Sequence, residues 1–94
     1  MIKLIKLVSG EEIVCEKVDT SSHRTGVMFI TNPLKLTEDG KLVWWSKGIH
    51  SNNVTIPINY DSMIFELDAN PDLVLAYSAA RNTITPSSVT YLKG

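Results

Sequence analysis

Chemistry of the nucleophile–base or zinc kind would have to rest on the lone cysteine, Cys15, and the two histidines, His23 and His50. A cysteine attacks as its thiolate, which a helix N-terminus or a neighbouring cation must stabilise. Cys15 falls in the middle of an extended stretch with neither, and reads as a small buried core residue. Zinc asks for Cys and His at tight spacing, and histidines at positions 23 and 50 do not supply it. A glycine-rich phosphate loop, a paired-carboxylate signature and a zinc-protease motif are also missing from the sequence. These residues predict a protein that is not an enzyme and needs neither cofactor nor metal.

Binding chemistry is better represented. Between Thr20 and Tyr60 the bases Arg24, Lys35, Lys41 and Lys47 stand against Glu38 and Asp39, a local charge of +2, with His23 and His50 in the same span. Residues 61 to 72 hold Asp61, Glu66, Asp68 and Asp72 and no base. The whole chain carries a formal charge of −1, so any attraction to phosphate has to come from a local patch. Ordinary solvated loops and a functional basic surface both fit this asymmetry. Trp44-Trp45 adds an aromatic pair: on a strand, neighbours point to opposite faces, so one indole enters the core and the other stands against solvent, a second subunit or a ligand. Tyr60, beside Asn59 at the tip of a compact turn, can stack on a base or close the end of a barrel.

The elements that position these residues are mostly strands. Ninety-four residues, 44% of them hydrophobic and 20% charged, make one small soluble domain, with no apolar run long enough to span a membrane. Residues 2–8 and 12–18 read as two strands around the turn Ser9-Gly10-Glu11, with Ile13 and Cys15 on one face and Val14 and Val18 on the other. The next strand pattern, 27–36, is interrupted by Asn32-Pro33 as a bent or bulged strand would be. Asp39-Gly40 marks a hairpin into 41–45, and residues 19–25 and 47–53 are polar loops. Two further strands, 54–58 and 62–67, flank the Asn59-Tyr60-Asp61 turn. Asn70-Pro71-Asp72 combines an N-cap, a first-turn proline and a dipole-matched acid, predicting a helix over 71–81 with Leu73, Val74, Tyr77 and Ala80 on one face. A Ser/Thr-rich tail from residue 83 holds at most a weak strand at 89–92. The expected fold is all-β with one helix: a small, strongly bent barrel whose open end the helix covers. The single cysteine excludes an internal disulfide, and the N-terminal residues lack the pattern of an export signal, so a cytoplasmic location is expected and the Asn53-Val54-Thr55 glycosylation match is read as accidental.

The segment Leu7-Val8-Ser9-Gly10-Glu11-Glu12-Ile13-Val14-Cys15 leading to Asp19, with Thr31-Asn32-Pro33 and the strand-turn-strand unit from Val54 to Leu67, resembles the Sm-like (Sm/LSm, Hfq-type) family. It is similar in particular to small Sm-like proteins of tailed phages, including cyanophages, over residues 2–67. The chain departs from the family at several points. Cys15 stands at the usual bending glycine, and no Asp-x-x-Met-Asn loop follows Asp19. Asn59-Tyr60-Asp61 replaces the Arg-Gly or Lys-His element, and the helix follows the barrel instead of preceding it. The resemblance implies a five-stranded barrel assembled into a homo-oligomeric ring that binds single-stranded nucleic acid, RNA or DNA, with a role in its processing. Tyr60, Asn59, Lys47, Arg24 and His50 are the expected nucleic-acid contacts. Trp44, Trp45, Ile56, Ile58 and Ile64 are the expected subunit contacts, with the strands on either side of the Asn59 turn meeting neighbours edge to edge. Pro57, which has no N–H to donate, shifts or shortens that ladder. A phage structural or assembly factor acting through protein contacts alone is the alternative.

Overall fold

The two-residue alternation of apolar and polar side chains folds into antiparallel strands, and the computed structural model describes residues 1–18, 26–45 and 55–83. Six strands, β1 (Ile2–Leu7), β2 (Glu12–Lys17), β3 (Val27–Leu36), β4 (Leu42–Trp44), β5 (Thr55–Asn59) and β6 (Met63–Asp68), precede one helix, α1 (Pro71–Thr83). They form a single sheet in the order β4-β3-β2-β1-β6. The long β3 carries two partners on one side, β5 along Val27–Thr31 and β4 along Leu34–Leu36. The loops β1–β2 and β3–β4 are built alike, with three residues ending in a left-handed glycine, Gly10 at φ +99° and Gly40 at φ +84°. Each is closed by a backbone bond, Leu7 N–H to the Glu11 carbonyl at 2.9 Å and Thr37 N–H to the Lys41 carbonyl at 2.8 Å.

The bend expected at Asn32-Pro33 is a β-bulge inside a continuous strand. Val14 faces Leu34 but Glu16 faces Thr31, so Cys15 alone opposes two residues, Asn32 and Pro33. Asn32 takes φ +52°, a left-handed conformation that asparagine tolerates, and Pro33 sits where the ladder has no use for an N–H. One extra residue inverts the faces of the strand beyond it. Met28 and Ile30 therefore join one core, with Ile5, Leu7, Ile13, Cys15 and Ile58, while Leu34 joins a second, with Val14, Trp44 and Tyr77.

This inversion corrects two expectations. The sheet has six strands and bends strongly around the first core, to which Met63 of β6 contributes, but it is not a closed five-stranded barrel: β5 pairs with β3, β6 pairs with β1, and neither pairs with the other. Nor does α1 cover an open end. Leu73, Tyr77 and Ala80 lie on the second apolar face, over Val14, Leu34 and Trp44, because the bulge has created a face that needs covering. The helix begins as expected: the Asn70 side-chain carbonyl accepts the Leu73 N–H at 2.8 Å, and Asp72 and Arg81 match the two ends of the dipole. No helix among the described residues is long and apolar enough to cross a membrane.

Candidate functional site

β5 and β6 are joined by a single turn of 3-10 helix, Tyr60–Ser62, which bridges the two ends of the bent sheet. Asn59 enters it in extended conformation, and the Met63 N–H closes it on the Tyr60 carbonyl. Both flanks are anchored. The Tyr60 N–H donates to the Gly26 carbonyl at 2.9 Å, and the Ser62 carbonyl accepts the Val8 N–H at 2.8 Å. A backbone tied down on both sides projects its side chains outward, and Asn59, Tyr60 and Asp61 are all exposed. Tyr60 is 45% exposed, Val8 65% and Ile64 61%. Tyr60 and Ile64 flank Ser62 in the chain and Val8 bonds it through its backbone, and among the described residues no strand pairs with the outer edges of β5 and β6. Ile64 stands out because it is the extra residue of a second bulge, where β6 slips between Phe65, opposite Lys6, and Met63, opposite Leu7.

The other expected contacts fall differently. Trp44 is 8% exposed and Ile58 7%, one in each of the two cores, so neither side chain is available for the expected contact with a second copy. Trp45 and Ile56 are half-buried against the first core. The expectation that one of the two tryptophans must stand outside fails because both faces of the sheet carry a core. Arg24, Lys47 and His50 lie outside the described residues. Val8 was not singled out by the sequence: the long-range bond to Ser62 is what brings it to the turn, and nothing local announces it.

Electrostatics near the described surface is largely neutralised. Lys3 pairs with Glu66 and Asp68, Lys17 with Glu66, Lys35 with Glu11, Lys41 with Asp39 and Arg81 with Glu16. Among the described residues only Lys6 is a cation without an ion pair. It lines, with Lys35, Glu11, Glu12 and Glu38, a groove of about 530 Å³ between the two glycine-ended loops. The bond to Asp68 holds the Lys3 ammonium above its ordinary pKa, and the same bond holds Asp68 below the usual carboxylate value. Cys15 is fully buried, and that burial, helped by the charges of Glu66 and Glu16, pushes its thiol up to about 12. A neutral buried thiol is a poor nucleophile near neutral pH. No cluster of potential metal ligands occurs among the described residues.

No protein-family model matches the chain, and no curated protein matches it.

Proposed function

We propose that this chain is a non-enzymatic, Sm-like assembly module: copies join edge to edge through β5 and β6, and the assembly presents the Asn59-Tyr60 turn to a single-stranded nucleic acid. The observation that carries the reading is the turn itself. It holds Tyr60 outward on an anchored backbone while the outer edges of the two strands it connects pair with no other strand among the described residues. Unpaired edges invite pairing with another chain, and closing a ring of copies removes them. Ile64, exposed on β6 itself, adds apolar area to the contact. Pro57 leaves β5 one donor short and displaces the intersubunit ladder toward Thr55 or Asn59. A ring would repeat the tyrosine and whatever basic residues flank it, so weak single sites act together.

A second reading is favoured by the ion pairing. With five of the six described Lys and Arg side chains already facing a carboxylate, phosphate contact falls to Lys6, Arg24 and Lys47, and without it the same edges would serve an assembly factor that touches only protein. Fluorescence anisotropy with labelled oligo-U and oligo-A at two salt concentrations separates the two. Nucleic-acid binding predicts salt-dependent association that Tyr60→Ala weakens by about 1–3 kcal/mol per stacked base with an unchanged salt slope, while Lys47→Ala flattens the slope. Absence of binding by the wild type at low salt would leave the protein-contact reading.

A further inference from the structure

The polar groups around the β3 bulge have no part in the turn or the strand edges, yet they form a connected network across three elements. Asn32 is 9% exposed. Its backbone carbonyl accepts the Tyr77 hydroxyl at 2.7 Å, and its side-chain nitrogen donates to Glu16 Oε2 at 3.1 Å. The same Glu16 oxygen receives Arg81 Nη1 at 2.6 Å, and the Arg81 guanidinium lies 5.9 Å from the centre of the Tyr77 ring. Tyr77, on α1, thus grips the bulge directly, while Arg81, one turn on, reaches it through Glu16 of β2.

We infer that α1 is a strap whose Tyr77 and Arg81 lock the Asn32 bulge and so fix the direction in which the first half of β3 carries β5 and the Tyr60 turn. The physical chain is short. A left-handed non-glycine residue stores strain that its surroundings must offset, and here the offset comes from one bond delivered by the helix, from the Tyr77 hydroxyl, and one to Glu16, which Arg81 of the helix holds in place. Asn32 Oδ1 is buried without a partner, so the bulge is not satisfied by its own side chain and depends on those external bonds. Among the described residues β5 pairs with 27–31 alone, on the far side of the bulge from the β1–β2 turn, where β3 also meets the end of β2 at Glu16 and Lys17, and Gly26 holds the Tyr60 amide. Releasing the bulge therefore loosens β5 and the Tyr60 turn before it loosens the β1–β2 turn, which pairs with β3 on the other side of it. A further consequence, that the strap governs assembly, rests on the proposed function; the coupling itself does not.

Amide hydrogen exchange on Tyr77→Phe tests the coupling, because the substitution removes one hydroxyl and keeps the ring. The strap predicts that the Tyr60 amide, bonded to Gly26, exchanges about tenfold faster in the variant, while the Leu7 and Gly10 amides, bonded within the β1–β2 turn, change less than about twofold. Arg81→Gln, a milder change at a half-buried side chain, predicts the same pattern at smaller amplitude and serves if Tyr77→Phe does not fold. Equal acceleration at all three amides, or none at Tyr60, would overturn the strap. A wild type found to be monomeric would overturn the assembly reading alone, since the exchange pattern is read equally well on a monomer.

Discussion

At the scale of single residues, Cys15 and the surface carboxylates set the pH response. A thiol whose folded pKa is raised to about 12 from an ordinary 9.0 stabilises the fold fully below pH 9 and loses that contribution as pH climbs toward 12. The expected slope is about 1.4 kcal/mol per pH unit in that window, and comparing the alkaline unfolding of wild type with Cys15→Ala isolates it from lysine and tyrosine titration. The same burial predicts that a thiol reagent at pH 8 reacts with Cys15 only as fast as the fold opens, which a denaturant series would reveal as a rate rising with the unfolded fraction. Asp68 and Asp39 behave oppositely. Held below the usual value by the Lys3 ammonium and the Thr37 hydroxyl, they stabilise the fold above their ordinary pKa of 3.8 and cease to do so as pH falls through the lower folded value.

At the scale of elements, α1 and the β3 bulge decide the architecture. Asn70→Ala removes the acceptor of the Leu73 N–H and is expected to cost about 1 kcal/mol in chemical denaturation. Tyr77→Ala empties a fully buried aromatic site and is expected to cost about 3–5 kcal/mol, enough to unfold a domain of this size. Asn32→Gly, which relaxes the left-handed backbone, should be tolerated far better than Asn32→Val, whose branched side chain opposes φ +52°. Much of this was legible beforehand. Gly10 and Gly40 announce their turns, Asn70-Pro71-Asp72 announces the helix, and Asn32-Pro33 announces a distortion, each through local backbone preference. What could not be read is the consequence of the distortion. Which face Leu34 and Trp44 turn to depends on pairing against Cys15, a cross-strand property that no local pattern encodes, and the place of α1 follows from it. The candidate site divides in the same way: the exposure of Tyr60 follows from turn chemistry, whereas Val8 reaches it only through the tertiary bond to Ser62.

At the scale of the whole molecule, the sheet is strongly bent, the outer edges of β5 and β6 are unpaired among the described residues, and Tyr60 between them and Ile64 on β6 are exposed. A lone domain with such edges is open to uncontrolled pairing, and a defined assembly of copies is the economical way to cover them. Ile64→Lys places a charge in the middle of the proposed contact without touching either core, so it should dissociate the assembly while leaving the thermal unfolding of the subunit within about 0.5 kcal/mol. The most direct measurement is the molar mass in solution, by light scattering on size-separated protein at micromolar concentration. Edge-to-edge assembly predicts one well-defined species at an integral multiple of 10.4 kDa, reduced by Ile64→Lys. A wild-type mass of 10.4 kDa across that concentration range would contradict it.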